Sequence, residues 1–220
     1  MSIRSRGGGN LGQPGENQVY RQSFIAHVHQ LLAAGYSRLD RSALRDQEEP
    51  AITGFLVREI RRYLEGPMAP PWAQAFTVHD DPPVEFPGTA GRSRPRVDIE
   101  LERVQPGPRP RFQFEAKRLC RKGSIGEYFG KDGLQNFLSG RYAGEHEDAG
   151  MLGYVQVQPV QDWVEKVRLR MEETPEELLI DAGGEAWRSR ADPQLMHSYS
   201  SFHRRPWKLL RVHHTFLECC

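Results

Sequence analysis

Two acidic side chains and a lysine stand out by type and spacing. Asp98 lies in RPRVDIELERV, and Glu115 and Lys117 lie in RFQFEAKRL, with QPGPRP between the two stretches. Both stretches alternate apolar and polar residues with a period of two, the mark of a β-strand. The link, rich in proline and glycine, makes a turn. Val97, Ile99 and Leu101 fall on one face of the first strand, and Asp98, Glu100 and Glu102 on the other. In the second, Phe112, Phe114 and Ala116 oppose Gln113, Glu115 and Lys117. Asp98 is then a mid-strand carboxylate, and a hairpin brings it beside Glu115 and Lys117. A carboxylate between buried strands loses much of its hydration unless it is paired, hydrogen-bonded or bound to a cation. Oxygen ligands alone suit a hard divalent ion such as Mg²⁺, with Mn²⁺ as an alternative. A lysine two residues after the glutamate projects to the same side, where it orients or helps deprotonate a water held by the ion and steadies phosphate charge. Together these groups are equipment for phosphodiester hydrolysis. The competing reading is an ordinary cross-strand salt bridge on an exposed face, contributing about 0.2–1 kcal/mol. Flanking residues that suit a strand buried on both faces favour the first reading.

The surrounding elements must hold these groups in place. Residues 1–17, rich in Gly, Ser, Asn and Pro, lack the apolar surface to offset ordering entropy and read as a tail. Residues 18–220 form one domain. A helix over 18–36 carries Phe24, Ile25, Val28, Leu31 and Leu32 at three-four spacing. A second begins near Glu48-Glu49-Pro50, where acids suit the helix dipole and proline the first turn, and buries Ile52, Phe55, Leu56, Ile60 and Tyr63. FTVHD is a strand, and residues 124–142 are a helix in two pieces because Gly130 and Gly133 weaken its middle. AGMLGYVQV is a buried strand, Val160 to Met171 a helix that EETPEELL extends as a further short helix, and KLLRVHHTFL a final strand. This order predicts an α/β fold, a mixed β-sheet flanked by helices.

The hairpin residues and this element order resemble the PD-(D/E)XK, or restriction endonuclease-like, nucleases. The likeness rests on Asp98 in RPRVDIEL and Glu115-Ala116-Lys117 in FQFEAKRL, and covers about residues 48–158, with the helix of 18–36 added in front and a C-terminal helix and strand over 160–220. Val97 stands where the strict motif has proline. The resemblance implies that Asp98, Glu115 and the Ala116 carbonyl ligate Mg²⁺ and that Lys117 acts on the attacking water. It also implies a glutamate from the first core helix, for which Glu49 fits and Glu48 is the neighbouring candidate. An acid at a helix start that merely complements the dipole is the equal alternative for Glu49. Gln135 and Tyr142 are reminiscent of a branch with glutamine and tyrosine on the helix after the lysine, though their spacing is longer here, and Gln135 would touch the phosphate or the lysine. Glu100 and Glu102 share the face of Asp98 and are expected nearer the strand end, in solvent.

The net charge of +1 hides an uneven distribution: Arg92 to Lys122 holds ten Lys or Arg against four Asp or Glu. Arg94, Arg96, Arg118, Arg121 and Lys122 are candidates to hold a nucleic-acid backbone, because phosphate binding responds to local field and counterion release. Arg204, Arg205, Lys208 and Arg211 form a second basic cluster, and in SYSSFHRRPW the donors Ser200, Ser201, His203 and Arg204 suit a DNA backbone or, more simply, a polar loop. His213 and His214 are adjacent and structural. A solvated charged surface is the alternative for the basic residues. Three cysteines, two of them terminal neighbours, exclude a disulfide scaffold, and no Gly-rich loop followed by Lys-Ser/Thr is present for nucleotide hydrolysis. No stretch reaches the length of a membrane span and MSIRSRGGGN lacks a signal-peptide core, so the expected compartment is cytoplasmic and the partner is not a membrane. The expectation is a Mg²⁺-dependent DNA endonuclease of a defence, repair or mobile-element system, with a homodimer or partner subunit supplying targeting. RNA or branched junctions as substrate, or an inactive module that binds nucleic acid or a protein, are the alternatives.

Overall fold

A computed structural model describes residues 14–181, 183, 187–189 and 194–220. Helix α1 spans Pro14–Tyr36 and α2 Glu49–Leu64, followed by β1 at Phe76–Asp80, β2 at Ile99–Arg103 and β3 at Arg111–Leu119. Then come α3 at Ser124–Phe129, α4 at Leu134–Leu138, β4 at Asp148–Val155, α5 at Val160–Glu173, β5 at Arg188–Ser189, β6 at Ser198–Arg204 and β7 at Leu209–Glu218. One seven-stranded sheet has the order β1-β2-β3-β4-β7-β6-β5. The α/β class and the mixed sheet between helices are as expected: β3, β4 and β7 run parallel, and the flanking pairs are antiparallel.

The two sheet faces bury separate apolar clusters. α1 and α2 cover Ile99, Leu101, Phe112, Phe114, Leu152 and Tyr154. The two helices approach so closely that a Cβ at Gly35 would stand 2.5 Å from Ile60 Cγ1. α3, α4 and α5 cover the other face, including Met151, Val212 and Phe216. Every residue of β4 is buried, as a central parallel strand covered on both faces requires. A Cβ at Gly150 would meet Phe114 Cδ1 at 2.1 Å, so glycine lets that ring lie flat against β4. Among the described residues no helix is long and apolar enough to cross a membrane.

Several expectations need correction. α1 begins at Pro14, inside the span read as a tail, because proline's fixed φ suits a first helical turn; residues 1–13 of that span lie outside the described residues. β2 starts after Asp98, so Asp98 is not mid-strand. Val97 joins the cluster under α3–α5 rather than that of Ile99 and Leu101, because the chain bends at Asp98. Its backbone N–H there bonds Pro82 O, outside the ladder. Residues 175–179 form a turn rather than a helix, with Leu179 at a φ of 54°. The second piece of the 124–142 helix stops at Leu138. The segment SYSSFHR is strand β6, not a loop.

Candidate active site

The hairpin register sets the geometry. Ile99 pairs with Phe114, which puts Asp98 across from Glu115 at the bend where β2 begins. Asp98 Oδ2 accepts the Ala116 N–H at 2.6 Å. Tyr142, buried just after α4, donates its hydroxyl to Arg96 O at 2.5 Å and pins the segment leading into Asp98. Tyr142 is therefore a positioning residue for this segment, without a bond to Lys117.

Lys117 is 8% exposed, and its Nζ donates to Glu115 Oε1 at 2.9 Å, Glu49 Oε1 at 2.9 Å and Ala116 O at 2.6 Å. Glu49 reaches it from the first residue of α2, and its other oxygen accepts the Arg118 N–H at 3.0 Å. The approach of α2 is fixed from the end of β4, where Gln156 Nε2 donates to Leu44 O at 2.9 Å and Gln47 O at 2.7 Å. Of the two neighbouring acids, Glu49 joins the cluster, while Glu48 pairs outward with Arg118 at 2.6 Å. Four groups expected to form a site, Asp98, Glu115, Lys117 and Glu49, thus meet at one end of β3.

The electrostatics are those of a site short of positive charge. Burial, and then the charge of Asp98, push the Glu115 carboxyl up to about 8 despite Lys117. Burial likewise raises Asp98 to about 6, against the Ala116 N–H and Lys117. Burial opposes the charge of Lys117, but Glu115, Glu49 and Asp98 outweigh it and hold its pKa above the usual lysine range. Glu115 Oε2 is buried without a hydrogen-bond partner among the described residues. An orphaned carboxylate oxygen beside a second carboxylate and a backbone carbonyl is a donor set suited to a hard divalent cation. As the side chains stand, no three His, Cys, Asp or Glu among the described residues converge as a metal cluster; the Lys117 ammonium lies against Glu49, Glu115 and the Ala116 carbonyl instead. An open cavity of about 660 Å³ leads to Glu49 and Lys117, walled by Arg118, Arg121, Gly126 and Lys131.

The basic residues proposed to hold a backbone are mostly committed to acids. Arg96 pairs with Asp81 at 2.7 Å, Arg94 with Glu85 at 2.6 Å, and Arg121 with Glu127. Lys122 is exposed and makes no ion pair among the described residues. Arg118 and Arg121 line the cavity. Gln135 lines a neighbouring cavity and makes no bond to Lys117. Glu100 and Glu102, expected in solvent, are 7% and 6% exposed: Glu100 accepts from Gln113 at 2.8 Å, which the Ala143 N–H of the loop after α4 holds, and Glu102 accepts from Arg109 at 2.8 Å and Arg111 at 3.0 Å.

His203 and Arg204 do not belong to this site. His203 pairs with Leu210 and Arg204 with Leu209, at the start of β7, whereas Lys117 stands at the far end of the parallel strands. Arg204 pairs with Asp181 and Arg211 with Asp148. Arg205 is buried and donates to Ala143 O at 3.0 Å and His146 O at 2.7 Å. His203 is fully buried, and its Nδ1 donates to Leu178 O at 2.6 Å. That bond orders the protons of a dry chain. Neutral His203 Nε2 accepts from Ser201 Oγ at 2.6 Å, which accepts from His214 Nε2 at 2.7 Å, and His214 Nδ1 accepts from Tyr128 OH at 2.8 Å. These groups are structural, like His213, which contacts Asp148 at 2.9 Å. Their mutual satisfaction was the feature missed, since Ser and His in an apolar strand pattern read as surface donors.

No family model, no curated protein and no solved structure matches this chain.

Proposed function

We propose that the chain is a divalent-cation-dependent nuclease of the restriction endonuclease-like kind, hydrolysing phosphodiester bonds of nucleic acid, with DNA as the first substrate to test and defence, repair or mobile-element work as its setting. The observation that carries this reading is the buried Glu115 carboxyl, raised to about 8 with its Oε2 unpartnered, beside the half-buried Asp98 carboxyl, raised to about 6, both next to Lys117, which lines the cleft. Asp98, Glu115 and the Ala116 carbonyl would hold Mg²⁺ or Mn²⁺, with Glu49 beside them. The ion supplies charge stabilisation at the phosphate and lowers the pKa of water. Glu115 gives up its proton as it takes on a ligand's charge. Lys117 leaves its three oxygen partners enough to place its ammonium toward the nucleophile and the phosphate. Arg118, Arg121 and Lys131 line the cleft beside Glu48, Glu49, Glu127 and Asp132, so Arg118 and Arg121 would hold a backbone only by exchanging their carboxylate partners for phosphate, contacts that bring affinity without sequence choice.

One observation favours a second reading, an inactive module that binds nucleic acid or a protein. The Lys117 ammonium already satisfies Glu49 and Glu115, and most nearby arginines are paired with acids. Incubation with supercoiled plasmid and short RNAs, in Mg²⁺, Mn²⁺ or EDTA, separates the two. Nicking that requires the metal and is lost in Asp98→Ala and Lys117→Ala, each shown folded by circular dichroism, supports the nuclease. Equal behaviour of wild type and variants across metal and salt leaves the binding module.

A further inference from the structure

Beside the cleft lies a second cavity, of about 730 Å³, and Gly126, Gly130 and Lys131 border both. The two differ in charge. Among the side chains lining the cleft, four acids offset four bases. Those lining the second cavity include Lys131, Arg141 and Arg170 against the single acid Glu177, which is committed to Arg170 at 3.2 Å. Lys131 and Arg141 are exposed, and their side chains make neither a hydrogen bond nor an ion pair among the described residues. Arg118 and Arg121 in the cleft are paired with Glu48 and Glu127. The uncompensated positive charge next to the candidate site therefore lies in the second cavity. Arg141 is also near enough to be felt at the site: burial, and then Glu115, raise the Tyr142 hydroxyl above the usual tyrosine range, Arg141 opposes them, and Asp98 and Lys117 act on the same hydroxyl.

Like charges facing one concave wall raise the potential there, and low-dielectric walls focus it. A run of phosphates relieves that repulsion and releases its own counterions in doing so. The border between the cavities is open to such a chain, because a Cβ built at Gly126 of α3 would meet no atom within 4 Å. Resting on the nuclease reading of the adjoining cleft, we propose that the second cavity is a phosphate subsite, which holds the sugar-phosphate backbone of the strand being cut where it continues past the phosphate beside Lys117. The strand crosses between the cavities at Gly126. Lys131 meets the backbone at the crossing and Arg141 meets it beyond, contacts that set the path of the strand and add affinity while reading no base edge.

The test is fluorescence anisotropy in EDTA over a series of salt concentrations, with labelled single-stranded oligo(dT) and oligo(dA) as probes. For a single strand each phosphate contact contributes about 0.7 to the slope of log affinity against log salt. Lys131→Ala and Arg141→Ala are each expected to lower that slope by about 0.7, a loss of about fivefold in affinity at about 0.1 M salt, equally for both probes. Arg58→Ala removes an exposed cation on α2, across the sheet and lining neither cavity, and should leave the slope as it is. Gly126→Leu adds a side chain where the protein has open space. It should melt at or above the wild-type temperature, leucine being the better helix former, and bind at least as weakly as Arg141→Ala. No binding by the wild type at low salt, or slopes in Lys131→Ala and Arg141→Ala equal to that of Arg58→Ala, overturns the proposal and leaves an ordinary solvated surface. Plasmid nicking on the same preparations tells the two failures apart. Lowered slopes without metal-dependent nicking by the wild type sink the hydrolase and leave a polyanion-binding groove, whereas nicking with unaltered slopes sinks the subsite alone.

Discussion

Replacing Glu115 by Gln removes a carboxyl that the fold buries at a cost, and that cost has a pH signature. Burial first, and the charge of Asp98 second, carry the Glu115 pKa from 4.5 to about 8 against the pull of Lys117. Between those values the folded protein holds a proton that the unfolded chain has released. The stabilising difference is therefore complete below 4.5 and is lost as pH rises through 8. One proton's difference corresponds to about 1.4 kcal/mol per pH unit, so raising the pH from about 6 to about 7.5 removes about 2 kcal/mol. Asp98, brought up to about 6, makes most of its own contribution below that window. In a domain of this size 2 kcal/mol moves the melting temperature by about 4–8 °C. Differential scanning calorimetry in EDTA should show the wild type losing that much more than Glu115→Gln across the window. The histidines and other titrating groups cancel in the comparison. Added Mg²⁺ should raise the wild-type melting temperature more at about pH 7.5 than at about pH 6, since the ion takes the place of the proton, and should raise that of the variant less. Parallel melting curves against pH for the two proteins would refute the claim that Glu115 is held protonated by its surroundings.

The buried chain from Tyr128 to His203 predicts that Ser201→Ala leaves ring nitrogens of His203 and His214 unpartnered in a dry core, costing about 3 kcal/mol in urea unfolding. Burial holds His203 down to about 4, so its contribution is present above 6.5 and is lost as pH falls toward 4; stability should decline through that range less steeply in His203→Gln. Asp148, 6% exposed, accepts from Arg21 of α1 at 2.6 Å, Arg211 at 2.6 Å and His213 at 2.9 Å. Asp148→Asn should cost about 3–5 kcal/mol and open α1 to limited proteolysis before the sheet, with unchanged cleavage of α1 counting against that role.

The hairpin and its acids were legible because alternation survives wherever one strand face is apolar, and β3 has Phe112, Phe114 and Ala116 on one side without exception. The same rule failed at β6. Its inward residues include Ser198, Ser201 and His203, buried through hydrogen bonds to partners on β7 and at Leu178 that lie far off in sequence. Basic clustering misled for a related reason. A run of arginines says nothing of the acids that fold beside it, and Asp81, Glu85 and Glu127 neutralise Arg96, Arg94 and Arg121 only once β1, β2 and α3 are in place. Glu49 fits the site from its place three before Ile52, with Glu48 the neighbouring candidate at the same helix start. Which of them faces Lys117 depends on how Gln156 anchors the loop before α2, a contact across 109 residues.

Burial of a polar group does not by itself mark a site, since His203, Ser201 and His214 are as deeply buried as anything near Lys117. The difference lies in what remains unsatisfied. In the Tyr128–His203 chain each ring nitrogen and hydroxyl has a partner and the proton order is unique, so nothing is left for a ligand to do and replacement should only destabilise. Around the cleft, Glu115 keeps one oxygen without a partner, and Asp98 and Glu115 are pushed toward protonation. Groups of that kind lower stability in the free protein and are relieved by a cation, so their neutral replacements should hold or gain stability while losing binding. Opposite signs of the stability change in Glu115→Gln and Ser201→Ala, measured under one set of conditions at about pH 7.5, would separate the two classes of buried polar residue in this fold.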